Sequence, residues 1–462
     1  MRNHDREHRR RSVLAAWCTL IAGATLAVHV WGQTALPVFP GAEGFGATTV
    51  AGRGGAVLTV TNLNDSGAGS LRAALSAAGP RTVVFETSGT VTLTSDDLLV
   101  SNPYLTLAGQ TAPSPGITIR GGGIRIMTHD VLIQHVRVRP GDVLAKRVDR
   151  TNAGGFIVLG QEGTSVNASG TYNIVLDHVS ASWATDQDMS TWFPLHDVTI
   201  SNSFITEGLR DFDAKREGQC NACGFLIGEH SVRVAIIRTL FAHHVHRFPE
   251  IKGDTQTVLV NNLAYDNQHE IIDIYDYEGH GPQLATIIGN VHIPGPSTAL
   301  LGYVNPLIYL NANLKPGTRV YQHDNASPRV LDNEVAGFNP IVSSPPVWAD
   351  GITVMPSGAV EAYLKAHAGA RPADRDAVDR RIVDELTKRS GRIIDAPADV
   401  GGYPTLAVNV RSLAVPRYSN SDDNKNGYTN LEEWLAVFTA QVEGTSGQTG
   451  SAAGAHPLPH KH

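Results

Sequence analysis

Ile133-Gln134-His135-Val136, Leu176-Asp177-His178-Val179, Ile200-Ser201-Asn202-Ser203, Ile237-Arg238-Thr239-Leu240, Val260-Asn261-Asn262-Leu263 and Ile288-Gly289-Asn290-Val291 are six forms of one short phrase. Its third position holds His, His, Asn, Thr, Asn and Asn, at intervals of 43, 24, 37, 23 and 28 residues. Recurrence at periods of about 20 to 50 residues is the mark of stacked repeats. These intervals predict one or two coils of a solenoid apiece, with loops of variable length between them. His135, His178, Asn202, Thr239, Asn262 and Asn290 are then expected at equivalent, inward-facing turn positions, where they stack and satisfy main-chain groups.

Upstream the same texture continues. Val57-Leu58-Thr59-Val60, Thr82-Val83-Val84-Phe85, Thr90-Val91-Thr92-Leu93, Leu105-Thr106-Leu107, Ile117-Thr118-Ile119 and Ile124-Arg125-Ile126 are short apolar runs separated by turn residues. Such runs read as strands. No long helices intervene, which argues against a doubly wound sheet or a β/α barrel, and the repeat is too short for propeller blades. The expected class is all-β, a parallel β-helix over 36–345, followed by a C-terminal extension over 346–440 and a polar, disordered tail over 441–462.

Bulk properties limit what such a solenoid does. The chain has 462 residues with 46 Gly and 25 Pro, and is 42% hydrophobic, which reads as globular and rich in turns. Five arginines between Arg2 and Arg11 precede an uncharged run from Ser12 to Ala35. This pattern over 1–35 reads as an export signal, with an N-terminal membrane anchor as the alternative. Removing it moves the formal charge from −7 to −10. An acidic protein of this kind is not expected to bind nucleic acid, nor a membrane once the signal is gone. An anionic partner would need a local basic cluster or bridging cations. Of the three cysteines, Cys18 lies in the signal and Cys220 and Cys223 form a single C-x-x-C, read as a local disulfide or two inert thiols.

The extension differs in composition. Residues from Gly358 to Ile394 have helical apolar spacing. Asp422-Asp423-Asn424-Lys425-Asn426-Gly427, five further residues and then Glu433 match the twelve-residue calcium-loop pattern D-x-[DN]-x-[DN]-G-x5-E. Calcium needs hard oxygen ligands, a glycine at the sharp turn and a carboxylate at position twelve. Asp422, Asn424, Asn426, the Tyr428 carbonyl and Glu433 would supply them. No clear helix enters the loop, so a lone structural site is expected.

The chemistry is expected on one face. Eight residues beyond four of the turn positions stand Asp186, Arg210, Arg247 and Glu270. Neighbouring coils are spaced about 4.8 Å apart, so Asp186 and Arg247, two coils apart, would be separated by about 10 Å. A carboxylate and a guanidinium in one groove suit an anionic polymer and a cation.

Phe39-Pro40-Gly41-Ala42-Glu43-Gly44-Phe45-Gly46, Ala51-Gly52-Arg53-Gly54-Gly55, the run from Val60 to Arg72, the run from Val175 to Trp183 with Thr185 and Asp186, Arg247-Phe248-Pro249-Glu250-Ile251-Lys252-Gly253, and Gly401-Gly402-Tyr403-Pro404 together resemble the pectate lyase family. The ordered set spans about residues 38 to 440. The resemblance implies a right-handed β-helix and calcium-dependent β-elimination of polygalacturonate, the homogalacturonan of plant cell walls. It implies Arg247 as catalytic base, Lys252 as a holder of substrate carboxylate and Asp186 as a calcium ligand. Lys215 or Arg216 matches a substrate-binding lysine, with Arg210 beside it on the same face. Asp177 matches the aspartate of the family's Asp-His pair, taken as structural. Two departures stand out. The strand from Gly154 to Leu159 lacks the acidic ligand usual there, and Gln187 replaces a common Glu. Calcium would then be weaker, be shared with substrate carboxylates, or rely on Asp188.

The chemistry explains the residue types. A proton α to a uronate carboxylate is barely acidic, and neutralising that carboxylate with calcium and Lys252 stabilises the charge that forms. Arginine is normally locked in its protonated form, and nearby cations favour its deprotonation, so an alkaline optimum is expected. Two other readings stay open: an inverting polygalacturonase using Asp186 and Asp188, and a non-catalytic β-helix that binds polysaccharide. A secreted or periplasmic monomer is expected.

Overall fold

The computed structural model describes residues 36–142, 154–210 and 221–445. Their strands form three sheets of ten, nine and eight strands. Strand pairs from Ala56–Val60 with Arg81–Phe85 to Leu284–Ile288 with Arg319–His323 run parallel. Each coil contributes in turn to a first sheet (Tyr172–Asp177), a second (Ser180–Ser182) and a third (Gln187–Trp192). Because the chain moves to a new sheet at each corner, strands adjacent in space come from successive coils. This is the right-handed parallel β-helix. Among the described residues no helix is long and apolar enough to cross a membrane.

Alternation along each strand fills the interior. Ile174, Leu176, Val198, Ile200, Val234 and Ile236 of the first sheet join Val138, Phe156, Met189, Phe225 and Ile251 in one continuous core. Corners are made by residues in the left-handed backbone region: His135, His178, Asn202, Arg238, Asn261 and Gly289, with φ from 48 to 67°.

That column corrects the predicted register. Ile133, Leu176 and Ile200 are in register as expected, but the next residue in their row is Ile236, not Ile237. The sequence there has two consecutive isoleucines, and the second of them, which fits the repeated phrase, faces outward. Ile237, Val260 and Ile288 pack instead in an outer cluster with Ala349 and Ile352. A slip of one residue exchanges the two faces of a strand. The six turn residues therefore form two groups. Thr239, Asn262 and Asn290 build the inward ladder: the Thr239 amide donates to Asn262 Oδ1 at 2.9 Å and the Asn262 amide to Asn290 Oδ1 at 3.0 Å. Asn325 extends it, accepting from the Asn290 amide at 2.9 Å. His135, His178 and Asn202 sit one residue earlier, at the corner itself. They are covered by the C-terminal segment: His135 Nδ1 donates to the Ala370 carbonyl, and Tyr363 reaches Asn202.

The extension lies back along the solenoid. Its helical stretch is two helices, Ser357–His367 and Ala377–Lys388, because the chain turns extended at Ala368 and left-handed at Gly369, with φ of 91°, before Pro372 opens a separate turn. Val360, Leu364, Ile382 and Leu386 pack on Phe204, Leu240, Leu263 and Tyr265 of the second sheet. A third helix, Asn430–Glu443, starts with a capping box between Thr429 and Glu432 and stops at left-handed Gly444. It therefore continues three residues into the span expected to be tail, whose remainder, 446–462, is outside the described residues.

A buried ion cluster fastens this segment. Arg137 and Arg139, fully buried on the second sheet, meet Asp376 and Asp379. Asp379 accepts from Arg139 at 2.8 Å and from Ser180 at 2.8 Å. Removing one member of such a cluster strands a buried charge. Asp379→Ala should therefore lower unfolding free energy by about 3–5 kcal/mol, read from the denaturant midpoint. A loss below about 1 kcal/mol, the value of a surface pair, would contradict this assignment.

Candidate active site

Alternation on the third sheet decides which residues face out. Ile227, Ile251 and Ile274 pair in one row and enter the core. Their neighbours Ser190, Leu226, Glu250, Asp273 and Tyr309 form the adjoining outward row. In Arg247-Phe248-Pro249-Glu250-Ile251-Lys252, Glu250 and Lys252 thus point outward on either side of an inward Ile251. Arg247 precedes the strand, at the corner where coils pass from the second sheet to the third. Its φ of 73° is left-handed. This conformation is shared by many corner residues here, so it reflects the turning of the coil and not catalysis.

Arg247 Nε stands 2.5 Å from Glu250 Oε2. Burial opposes the Glu250 charge, but a His246 hydrogen bond, the Arg247 guanidinium and a Tyr275 hydrogen bond hold its carboxyl down at about 2. On the next strand Asp273 lies directly beside Glu250. Burial, then the Glu250 and Glu270 charges, push its carboxyl up to about 8. In neutral solution Arg247 therefore has one ionised carboxylate, Glu250, against it and a protonated acid alongside. Any incoming anion must compete with Glu250 for the guanidinium.

Lys252 has a similar embrace. Its ammonium is 2.9 Å from Glu278 and 3.2 Å from Glu229, and stands 5.1 Å from the centre of the Trp192 ring. Gly228 leaves room between them, since a Cβ there would come within 3.0 Å of the Trp192 ring. An aromatic face beneath a cation gives a planar platform beside a fixed positive charge.

The other expected residues are distributed unevenly. Asp186 is half-buried at the start of Gln187–Trp192, with its carbonyl accepting the Cys223 amide at 3.2 Å. Cys223 pairs with Gln187 on one side and His246 on the other. The residue in register with Asp186 is consequently Val245, and Arg247 lies two residues further along the same corner. The equal offset expected from the sequence inherits the one-residue slip and an irregular entry into the strand. Two coils separate the pair, and the two-residue offset lies along the strand in addition. Arg210 is at the edge of this face, bonded to Asp395 at 3.0 Å and held by the Ile394 carbonyl. Lys215, Arg216 and Cys220 lie outside the described residues. Cys223 is disulfide-bonded.

Asp188 is displaced from the groove. It is fully buried, accepts from the Ala184 amide at 2.9 Å and faces His244 Nε2 at 2.8 Å. Burial pushes its carboxyl well up. A buried carboxyl tied to the Ala184 amide and to an imidazole inside the corner is not placed to hold a cation in the groove, which corrects that expectation. Asp177 is equally committed, accepting from Ser201, Asn202 and Gln134 and facing His178. Among the described residues, Asp186 is then the acidic ligand left of those expected there. Calcium takes six to eight oxygens, so an ion held at Asp186 would draw most of them from water or from a bound ligand.

The C-terminal loop fits calcium better. The Gly427 amide donates to Asp422 Oδ2 at 2.9 Å, and Asn426 Nδ2 and Asn424 both reach Glu433 Oε1. Gly427, at the turn, has φ of 96°. Asp422, Asn424, Asn426 and Glu433 thus converge on one centre, with Tyr428 next in the loop. The loop leads into the helix Asn430–Glu443, whose Leu431 and Leu435 pack against Val84 and Ala108. Glu433→Gln should lower the melting temperature in calcium while sparing turnover per folded molecule. Lost turnover with an unchanged melting temperature would show the loop serves the reaction instead.

Glu250, Asp273, Tyr275 and Trp192 were not predicted as site residues. Alternation through Glu250-Ile251-Lys252 was the available signal for the first. The others depend on which coils become neighbours.

No protein-family model matches the chain. "Probable pectate lyase C" of Neosartorya fischeri is 32% identical over 435 residues, covering 89% of this chain and 96% of the fungal protein. The protein of that name from Aspergillus fumigatus is also 32% identical over 435 residues, with the same coverage. Among solved structures, that of jun a 1, the major allergen from cedar pollen, matches with a TM-score of 0.50 at 18% identity, over 71% of this chain and 92% of that one. At such identity the likeness concerns the fold.

Proposed function

The chain belongs to the pectate lyase family, and from that premise we propose that it cleaves polygalacturonate by β-elimination with Arg247 as the base. The observation that carries the assignment is the outward pair Arg247 and Lys252 on one coil, two cations held at a groove in an acidic protein. Lys252, above Trp192, engages the carboxylate of the uronate being cleaved, while Arg247 faces its C5 proton. The Arg247 guanidinium first gives up a proton to solvent hydroxide, which calls for alkaline solution; the C5–H bond then breaks toward the neutral guanidine, a C4–C5 double bond forms, and the C4–O4 bond breaks, with the leaving oxygen taking a proton from water. Calcium, when bound between Asp186 and the substrate, supplies further neutralisation of the uronate charge. Glu250 must yield the guanidinium as substrate enters, which makes the site selective for polyanions. The enzyme acts on homogalacturonan outside the cytoplasm as a secreted or periplasmic monomer, with Arg210 and Lys215 as further substrate-binding cations.

One observation favours a hydrolase: Glu250 and Asp273 are neighbouring carboxyls at about 2 and about 8. A split pair is what acid catalysis of glycoside cleavage uses. Mass spectrometry of the products distinguishes the two. Elimination gives non-reducing ends one water lighter than hydrolysis does. Fully hydrated fragments alone would replace the lyase reading, and no fragments at all would leave a binding protein.

A further inference from the structure

The corner histidines His135 and His178 stack with ring centres 5.2 Å apart, far along the coil from the groove. His135 is wholly buried, and its Nδ1 donates to the Ala370 carbonyl at 2.7 Å. That bond fixes the tautomer and leaves Nε2 with its lone pair, buried and without a hydrogen-bond partner. Nε2 is aimed at Glu443 Oε1, 3.4 Å away. His178 is oriented in the same way, although its nitrogen facing Glu443 is also hydrogen-bonded to Asp177. One ring nitrogen has a main-chain hydrogen bond to His367, and Nδ1 lies 3.4 Å from the same Glu443 oxygen and 2.9 Å from Asp177 Oδ2. A lone pair directed at a carboxylate oxygen is repulsive unless something positive lies between them.

We propose that His135, His178 and Glu443 form a buried site for a transition-metal dication of the zinc type, which fastens the last helix to the solenoid. Their ligand atoms all lie within 4.8 Å of one another. Zinc–ligand bonds of about 2.0–2.1 Å give tetrahedral edges of about 3.4 Å, which matches both distances to Glu443. The main-chain carbonyls behind each imidazole are the supports that orient metal-bound histidines. Two imidazoles suit zinc more than calcium, which prefers oxygen alone. Asp177 adds negative charge beside the site. Binding displaces the proton shared between His178 Nδ1 and its carboxylates, so metal uptake releases a proton to solvent. Glu443 is the last residue of the helix Asn430–Glu443, so the calcium loop holds one end of that helix and this site the other.

The test is zinc binding to the full chain in excess calcium, by equilibrium dialysis, for the wild type and Glu443→Gln. The tail histidines His456, His460 and His462 are present in both, so a difference reports the buried site. Affinity should fall at least tenfold in Glu443→Gln, and zinc should raise the melting temperature of the wild type only. Equal affinity in the two proteins would overturn the assignment. Should Glu443→Gln fail to fold, zinc-edge X-ray absorption of the wild type with a single equivalent of zinc decides. Two imidazoles with oxygen donors support the site; three imidazoles, or oxygens alone, overturn it.

Discussion

Replacing Arg247 by lysine should lower kcat on polygalacturonate by about 100- to 10,000-fold, the range general-base catalysis supplies, while KM moves far less. The substitution keeps the charge that opposes Glu250 but loses the planar fork and its reach. The lysine can still pair with Glu250, as Arg247 does at 2.5 Å, so the corner should retain its fold and the loss should report chemistry. An interaction made only in the transition state lowers kcat and kcat/KM together. If steady-state kinetics of Arg247→Lys show an intact kcat with raised KM, the residue is a clamp on substrate carboxylate and not the base.

Lys252→Ala should have the next largest effect and a different form. A charge-assisted contact is worth about 1.5–3 kcal/mol, so kcat/KM should fall about 10- to 100-fold. Because Lys252 holds the uronate in ground and transition states alike, KM should rise as well as kcat fall. The truncation also leaves Glu229 and Glu278 facing each other without their shared cation, which strengthens repulsion of a polyanion. Raising calcium should recover part of the KM loss. A variant with unchanged KM would place Lys252 outside the substrate contact.

The solenoid was legible because its period is written in small units: a strand, a corner, an Asn or Thr. The register was less so. Ile236 and Ile237 are equally apolar, and only the coil on either side reveals which one enters the core. Arg247 and Lys252 were legible as a local motif, and Glu250 follows from alternation between them. Asp273 was not, since its proximity to Glu250 arises from the stacking of successive coils. Asp188 misled for a related reason. A carboxylate one residue past Gln187 reads as a ligand, but its neighbour His244 comes from two coils on and closes over it. His135 and His178 look like inward ladder residues in the sequence because the extension that covers them lies more than 180 residues later in the chain. Local order was in the sequence, and contacts between distant coils were not.

The most direct test of the central claim is the ultraviolet absorbance of 4,5-unsaturated ends during digestion of polygalacturonate, followed with calcium, after a chelator, and after calcium is restored. The account predicts that absorbance rises in calcium, stops on chelation and resumes on re-addition. New reducing ends formed without any rise in absorbance would contradict it.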